Sequence, residues 1–140
     1  MIRLLFNVFP ISVNKLYVNI PGQKRRFIST EGKKFKKLIE DEVKEIVKEP
    51  KLLKELSALT GKRLTVFIKV TSVSWLLKDG KTIRQKDISS VEKALIDSIF
   101  TAFKELNFEL DDRQIWDLHL RKEVGTTETT LVEISEYTSI

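Results

Sequence analysis

The sequence predicts one α/β domain, a mixed four-stranded β-sheet with helices packed on it. Three observations lead there. The apolar pattern switches between a period of two and a period near 3.6, in the order strand, helix, strand, helix, strand, strand. The 140 residues are 41% hydrophobic, enough to bury one core without staples. No repeat, low-complexity tract or linker interrupts them, so residues 1–140 read as a single domain.

Residues 3–9 read as a strand, ended by Pro10, and residues 14–20 as extended chain. Pro21-Gly22 is a turn signal, and the basic stretch 23–27 follows it. A helix is expected after Thr30, whose hydroxyl can cap it, with Glu31 in its first turn. Phe35, Leu38, Ile39, Val43, Ile46 and Val47 fall near one face of that helix. Pro50 breaks it, residues 51–59 form a second short helix, and Gly61 ends that one.

Residues 64–75 are β-rich, with Leu64, Val66, Ile68 and Val70 on one face, and residues 78–81 make a turn. A strong helix is expected over 89–106. Its apolar residues Val91, Ala94, Leu95, Ile96, Ile99, Phe100, Ala102, Phe103 and Leu106 cover more than half its circumference. An ordinary surface helix buries a narrower stripe, so a second side must be covered by this chain or by a partner subunit. Residues 114–122 alternate, with Trp116, Leu118 and Leu120 on one face, and residues 129–136 are expected to pair back on them as a hairpin.

Composition removes several chemistries. The chain has no cysteine and one histidine, His119, which excludes disulfides, thiolate metal sites and a Cys nucleophile. Any metal chemistry must then rest on carboxylates, which suit hard ions such as Mg²⁺. No apolar run reaches membrane-span length, and residues 1–9 read as a strand rather than a signal peptide. A soluble, intracellular protein of the cytoplasm is the expectation.

Charge is uneven. Residues 1–63 hold 15 Lys+Arg against 7 Asp+Glu, whereas residues 64–140 hold 10 against 13. Lys24, Arg25, Arg26, Lys33, Lys34, Lys36 and Lys37 place seven cations within fourteen residues, opposed by Glu31. Such a stretch can follow a phosphate track, or it can be a solvated helix face. Phe27, Phe35, Trp75 and Trp116 could stack on opened bases, but their spacing suits a core.

The carboxylates that could carry chemistry stand at element ends. Asp87 precedes the helix over 89–106, and Asp111-Asp112 precedes the strand over 114–122. Converging carboxylates can bind Mg²⁺, whose retained waters can become nucleophiles. Each piece also has a plain structural reading: Ser89 with Glu92 spells a capping box, and Asp111-Asp112 an ordinary turn.

Taken together, the pieces resemble the RusA family of Holliday-junction resolvases. That family shows Asp-x-Asp-Asn-x-x-Lys, then an Asp at the fourth position after the Lys. A helix follows, then Asp-Asp-x-Gln and an apolar residue, then a strand ending in Lys. This chain matches at Asp87, Lys93, Asp97, Asp111, Asp112, Gln114, Ile115 and Lys122. Pro10, Asn14 and Tyr17 are similar to the family's Pro-x-x-x-Asn-x-x-Tyr, and Lys24-Arg25-Arg26 before a Lys-rich helix is similar too. The family's second Asp and its Asn are Ser89 and Ser90 here, and the helix between Asp97 and Asp111 is about one turn longer than usual.

The resemblance implies a RusA-like fold and a homodimeric, Mg²⁺-dependent endonuclease (Mn²⁺ being possible) acting on four-way DNA junctions in recombination and repair. It implies Asp87 and Asp112 as metal ligands, Ser89 or Asp111 as a weaker one, and Lys93 opposite the charge that builds on the phosphate. DNA contacts are expected from Lys24, Arg25, Arg26, Lys33, Lys34, Lys36, Lys37, Asn14 and Lys122. Ser89 brings no charge, and ligand charge tunes metal affinity. The alternative is therefore a relative that binds branched DNA without cutting it.

Overall fold

The computed structural model describes residues 1–84 and 88–139. Strand β1 (Ile2–Phe6) turns Ile2, Leu4 and Phe6 into the core and Arg3 and Leu5 outward. The chain then departs from the expected extended run. The Ser12 carbonyl accepts from the Lys15 and Leu16 N–H groups, closing one helical turn, α1 (Val13–Leu16). Only afterwards does β2 (Tyr17–Val18) pair antiparallel with β3 (Phe27–Ile28).

Helix α2 (Thr30–Ile46) is capped one residue earlier than expected. Ser29 Oγ accepts from the Gly32 N–H at 2.9 Å and donates to the Lys15 carbonyl at 2.6 Å. One hydroxyl thus starts α2 and ties it to α1. Gly32 permits the close approach, because a Cβ there would stand 2.8 Å from the Leu16 carbonyl oxygen. Pro50 serves as the first residue of α3 (Pro50–Ala58), a position where its missing N–H costs nothing.

Strand β4 (Leu64–Thr71) buries Leu64, Val66, Ile68 and Val70, as the alternation predicts, and a 3₁₀ turn over Val73–Trp75 follows. The expected helix over 89–106 divides. Ile88–Ser90 is a 3₁₀ turn, and α4 (Glu92–Glu105) begins after Val91, whose apolar side chain has no capping group. Ser89 is therefore not the N-cap of α4, and the capping-box reading is corrected.

The sheet has the order β1-β6-β4-β5, completed by β5 (Ile115–Glu123) and β6 (Thr129–Glu136). It is mixed, as expected: β5 runs parallel to β4, and the other pairs are antiparallel. The expected β5–β6 hairpin does not form. β6 instead inserts between β1 and β4, where Thr130, Val132 and Ile134 are buried. β5 is mostly exposed, and that composition suits an edge strand.

Helix α4 packs along α2 and shares a single core with the sheet. Val91, Ala94, Leu95, Ile96, Ile99, Phe100, Ala102 and Phe103 are all buried within this one chain. The second side that the wide apolar arc demanded is covered by the chain's own elements, and the arc no longer calls for a partner subunit. Among the described residues, no helix is long and apolar enough to cross a membrane.

Candidate acidic site and basic surface

The turn before β5 is built by its own polar side chains. Asp111 caps the 3₁₀ turn Asp112–Gln114, its Oδ1 accepting from the Arg113 N–H at 2.9 Å. Gln114 answers: its Oε1 accepts from the Asp111 N–H at 2.7 Å, and its Nε2 donates to the Lys62 carbonyl at 2.9 Å and the Leu59 carbonyl at 3.3 Å. The plain reading of this segment as a capped turn therefore holds, and Gln114 also fastens the turn to the loop between α3 and β4.

The two carboxyls on that turn are driven apart in acidity. The Arg113 backbone N–H and then the Arg113 guanidinium hold Asp111 well below the ordinary carboxylate range. Lys104 adds a further contact at 3.3 Å. Asp112 is pushed up, first by its hydrogen bond to the Asp111 carboxylate, then by burial, then by repulsion from Asp111 and Asp97. Of the pair, Asp112 is the member that takes up a proton first as pH falls.

Asp97 links this turn to the rest of the site. Its Oδ2 lies 3.5 Å from Lys93 Nζ, one turn earlier on α4. The Asp97 charge raises the Lys93 ammonium, followed by the field of the Tyr17 phenol. Glu92 is also raised, chiefly by burial. Tyr17 in turn lines a polar cavity of about 190 Å³ with Val13, Asn14, Asn19 and Arg26. The fold therefore brings Asp97 close to both Lys93 and Asp112, and brings Tyr17, which lines the cavity with Asn14 and Arg26, into the neighbourhood of Lys93.

Oxygen donors that repel one another suit a divalent cation in chemistry, because a cation would relieve the crowding that raises Asp112. They fall short in number: among the described residues, no group of three or more carboxylates or imidazoles could hold a metal ion. Asp111 spends its oxygens on Arg113 and Lys104. Asp87 lies outside the described residues. Ser89 sits exposed in the 3₁₀ turn that leads to α4.

The cations divide among three places. Lys24, Arg25 and Arg26 stand exposed in the connection from β2 to β3, with the Arg25 guanidinium 5.3 Å from the centre of the Phe27 ring. Lys33, Lys34 and Lys37 are exposed on α2, Lys36 is half-buried, and Lys37 lies 3.4 Å from Asp41. Lys122 is elsewhere, on β5, with its ammonium 4.8 Å from the centre of the Trp75 ring.

Of the four aromatics, Phe35 and Trp75 are in the core, at 7% and 3% exposure, and Phe27 is half-buried. Trp116 departs from expectation and is 61% exposed. The strand register shifts at this residue, and alternation in the sequence cannot show such a shift. No protein-family model matches the chain, and no curated protein matches it in sequence.

Proposed function

We propose that this protein binds branched DNA and hydrolyses phosphodiester bonds at four-way junctions, as its resemblance to the RusA resolvases implies. The observation that carries the reading is the Lys93–Asp97 pair. Its Asp97 is within electrostatic reach of Asp112, and its Lys93 is near Tyr17. In this reading the carboxylates and the polar, cationic pocket serve one scissile phosphate, with Lys93 between their roles.

In this reading the exposed cations at 24–26 and on α2 hold the DNA backbone and release its counterions. Arg26 and Asn14 position one phosphate in their cavity. Lys93 offsets the charge that develops on the phosphate in the transition state. Mg²⁺ or Mn²⁺ would be held by Asp112 together with Asp87, with Ser89 or Asp111 as a weaker ligand. When bound, such an ion supplies Lewis acidity and a water of lowered pKa.

A second reading rests on a specific observation. The described residues lack a third metal-capable partner, and Ser89 brings no charge. A branched-DNA binder that does not cut would have the same basic surface. A homodimer, whose two-fold axis would match that of a junction, belongs to the first reading. The surface left for it is the outward sheet face, where Leu5 is 58% exposed beside Arg3, Leu131 and Lys69.

The deciding experiment incubates the protein with labelled four-way junction and with duplex, each with and without Mg²⁺ or Mn²⁺. Symmetric, metal-dependent cuts in the junction support the nuclease. Retained junction with tight binding supports the non-cutting relative, and absence of binding to either DNA removes both.

A further inference from the structure

Trp116 stands where strand β5 carries one residue too many. Leu64 pairs with Ile115, but Thr65 pairs with Asp117, so Trp116 is the extra residue of a bulge. A bulge re-aims a side chain. Here it turns out an indole, a large apolar ring that folding normally covers. The ring has selected neighbours. The Arg63 guanidinium lies 4.1 Å from its centre, and the Tyr137 ring lies 6.2 Å away, tilted by 45°. The Tyr137 N–H donates to the Arg63 carbonyl at 2.7 Å, so these neighbours are tied to each other.

Beside them is a cavity of about 330 Å³ lined by Gly61, Lys62, Arg63, Glu136, Tyr137 and Ser139. That is near the small end of ligand clefts, roughly 300–1,000 Å³. Lys62 lies 4.0 Å from Glu136 and offsets the carboxylate in that wall. The Tyr137 ring, a guanidinium and an ammonium line this opening, the indole lies against two of those side chains, and the set matches a nucleobase and its phosphate. Stacking of this kind needs an unpaired base, because paired bases hide their faces. Position agrees. Gln114 is bonded both to the acidic turn and to the loop that carries Lys62, so the indole and Asp112 share one fastened corner.

We propose that Trp116, Arg63 and Tyr137 form a stacking platform for an unpaired nucleobase of DNA, with Lys62 taking the adjoining phosphate. The proposal rests on the DNA-binding reading above and adds to it a preference for opened strands.

The chain carries its own probe. Of its two tryptophans, Trp75 is buried with Nε1 donating to the Val70 carbonyl, so solvent-quenchable emission belongs to Trp116. Tryptophan emission is followed during titration with oligodeoxythymidylate, in parallel with the anisotropy of the labelled oligonucleotide. Thymidine monophosphate and a duplex of equal length form the other arms. The expected result is quenching by the oligonucleotide and weak quenching by the duplex. Trp116→Ala should lower single-strand affinity on the order of tenfold, the scale of one stacked base, and leave duplex affinity unchanged. Trp116→Phe should keep most of the affinity, and an unchanged urea midpoint would show that both variants fold.

Oligonucleotide binding with unchanged emission, and with Trp116→Ala equal to wild type, overturns the platform and leaves the DNA reading standing. Failure of oligonucleotide, duplex and four-way junction to bind overturns both. Monophosphate quenching as strong as that of the oligonucleotide, at equal nucleotide concentration, overturns a DNA strand as the ligand.

Discussion

The Gln114 side chain accepts a hydrogen bond from the Asp111 backbone N–H at 2.7 Å, while Asp111 caps the turn that contains Gln114. The amide nitrogen of the same Gln114 donates to the Lys62 and Leu59 carbonyls. Gln114→Ala removes all three bonds and leaves the Asp111 N–H without its partner. It should cost about 1–3 kcal/mol. Urea denaturation measures this, and Gln114→Glu should not restore stability, because it keeps the acceptor and loses both donors. A midpoint unchanged by either substitution would mean that the turn holds without Gln114.

Asp112 should be worth more to function than to stability. Its pKa is raised in the fold, so the folded state binds that proton more tightly than the unfolded chain does. The resulting stability is present below the ordinary carboxylate range and is lost as pH rises through the raised value. At pH 7 Asp112→Asn removes a repulsion, and it should raise stability by on the order of 0.5 kcal/mol, discounted for solvent screening. The gain should shrink as pH falls to about 3, where wild-type Asp112 is protonated in both states. Asp111 has the opposite sign, its contribution being lost as acid protonates it. Thermal melts of both proteins across pH 3–8 test this, and a gain constant across that range would refute the assignment.

Binding to DNA should weaken steeply with salt. Reversing the charges of Lys24, Arg25 and Arg26 should lower affinity and flatten the slope of log affinity against log salt, because each lost phosphate contact removes about 0.9 of slope on duplex. Lys122→Ala should change that slope little, since its ammonium lies against Trp75. Equal slopes for wild type and the triple reversal would reduce the basic stretch to a solvated surface.

Ser89→Asp separates the cutting and binding readings. Val91, not Ser89, holds the N-cap position of α4, so the effect sought here is on metal and cleavage rather than on a helix cap. If the site is under-liganded, the added charge should raise cleavage most at low Mg²⁺. Asp112→Asn should abolish cleavage and leave junction binding largely intact. No cutting by wild type or Ser89→Asp at any Mg²⁺ or Mn²⁺ level, with binding retained, would establish the binder.

Legibility from sequence followed how local each cause was. The strand β4 and the helix α2 were readable, because Leu64, Val66, Ile68 and Val70, or Phe35, Ile39 and Val43, reveal burial by spacing alone, whereas β1 was read on to Phe9 and ends at Phe6. The partner of β6 was not. Adjacency in sequence favoured β5, and only burial of Thr130, Val132 and Ile134 against both β1 and β4 decides otherwise. The wide arc of α4 was correctly read as doubly buried, but spacing cannot say that α2 supplies the second cover. In the site, Asp111, Asp112 and Gln114 were legible as a group, whereas the link from Lys93 to Tyr17 depends on α1 meeting α4. Trp116 was read as core because a bulge leaves no mark on an alternating pattern.

The place of β6 has a consequence for how the molecule is made. β1 and β4 are not neighbours until the last strand slots between them, Leu4 meeting Val132 on one side and Ile68 meeting it on the other. Ile2 pairs with Ile134, so β1 stays without its sheet partner until the growing chain has reached β6. Pairings this distant in sequence close slowly. Completion of the sheet is therefore expected to wait for β6, the piece that joins β1 to β4.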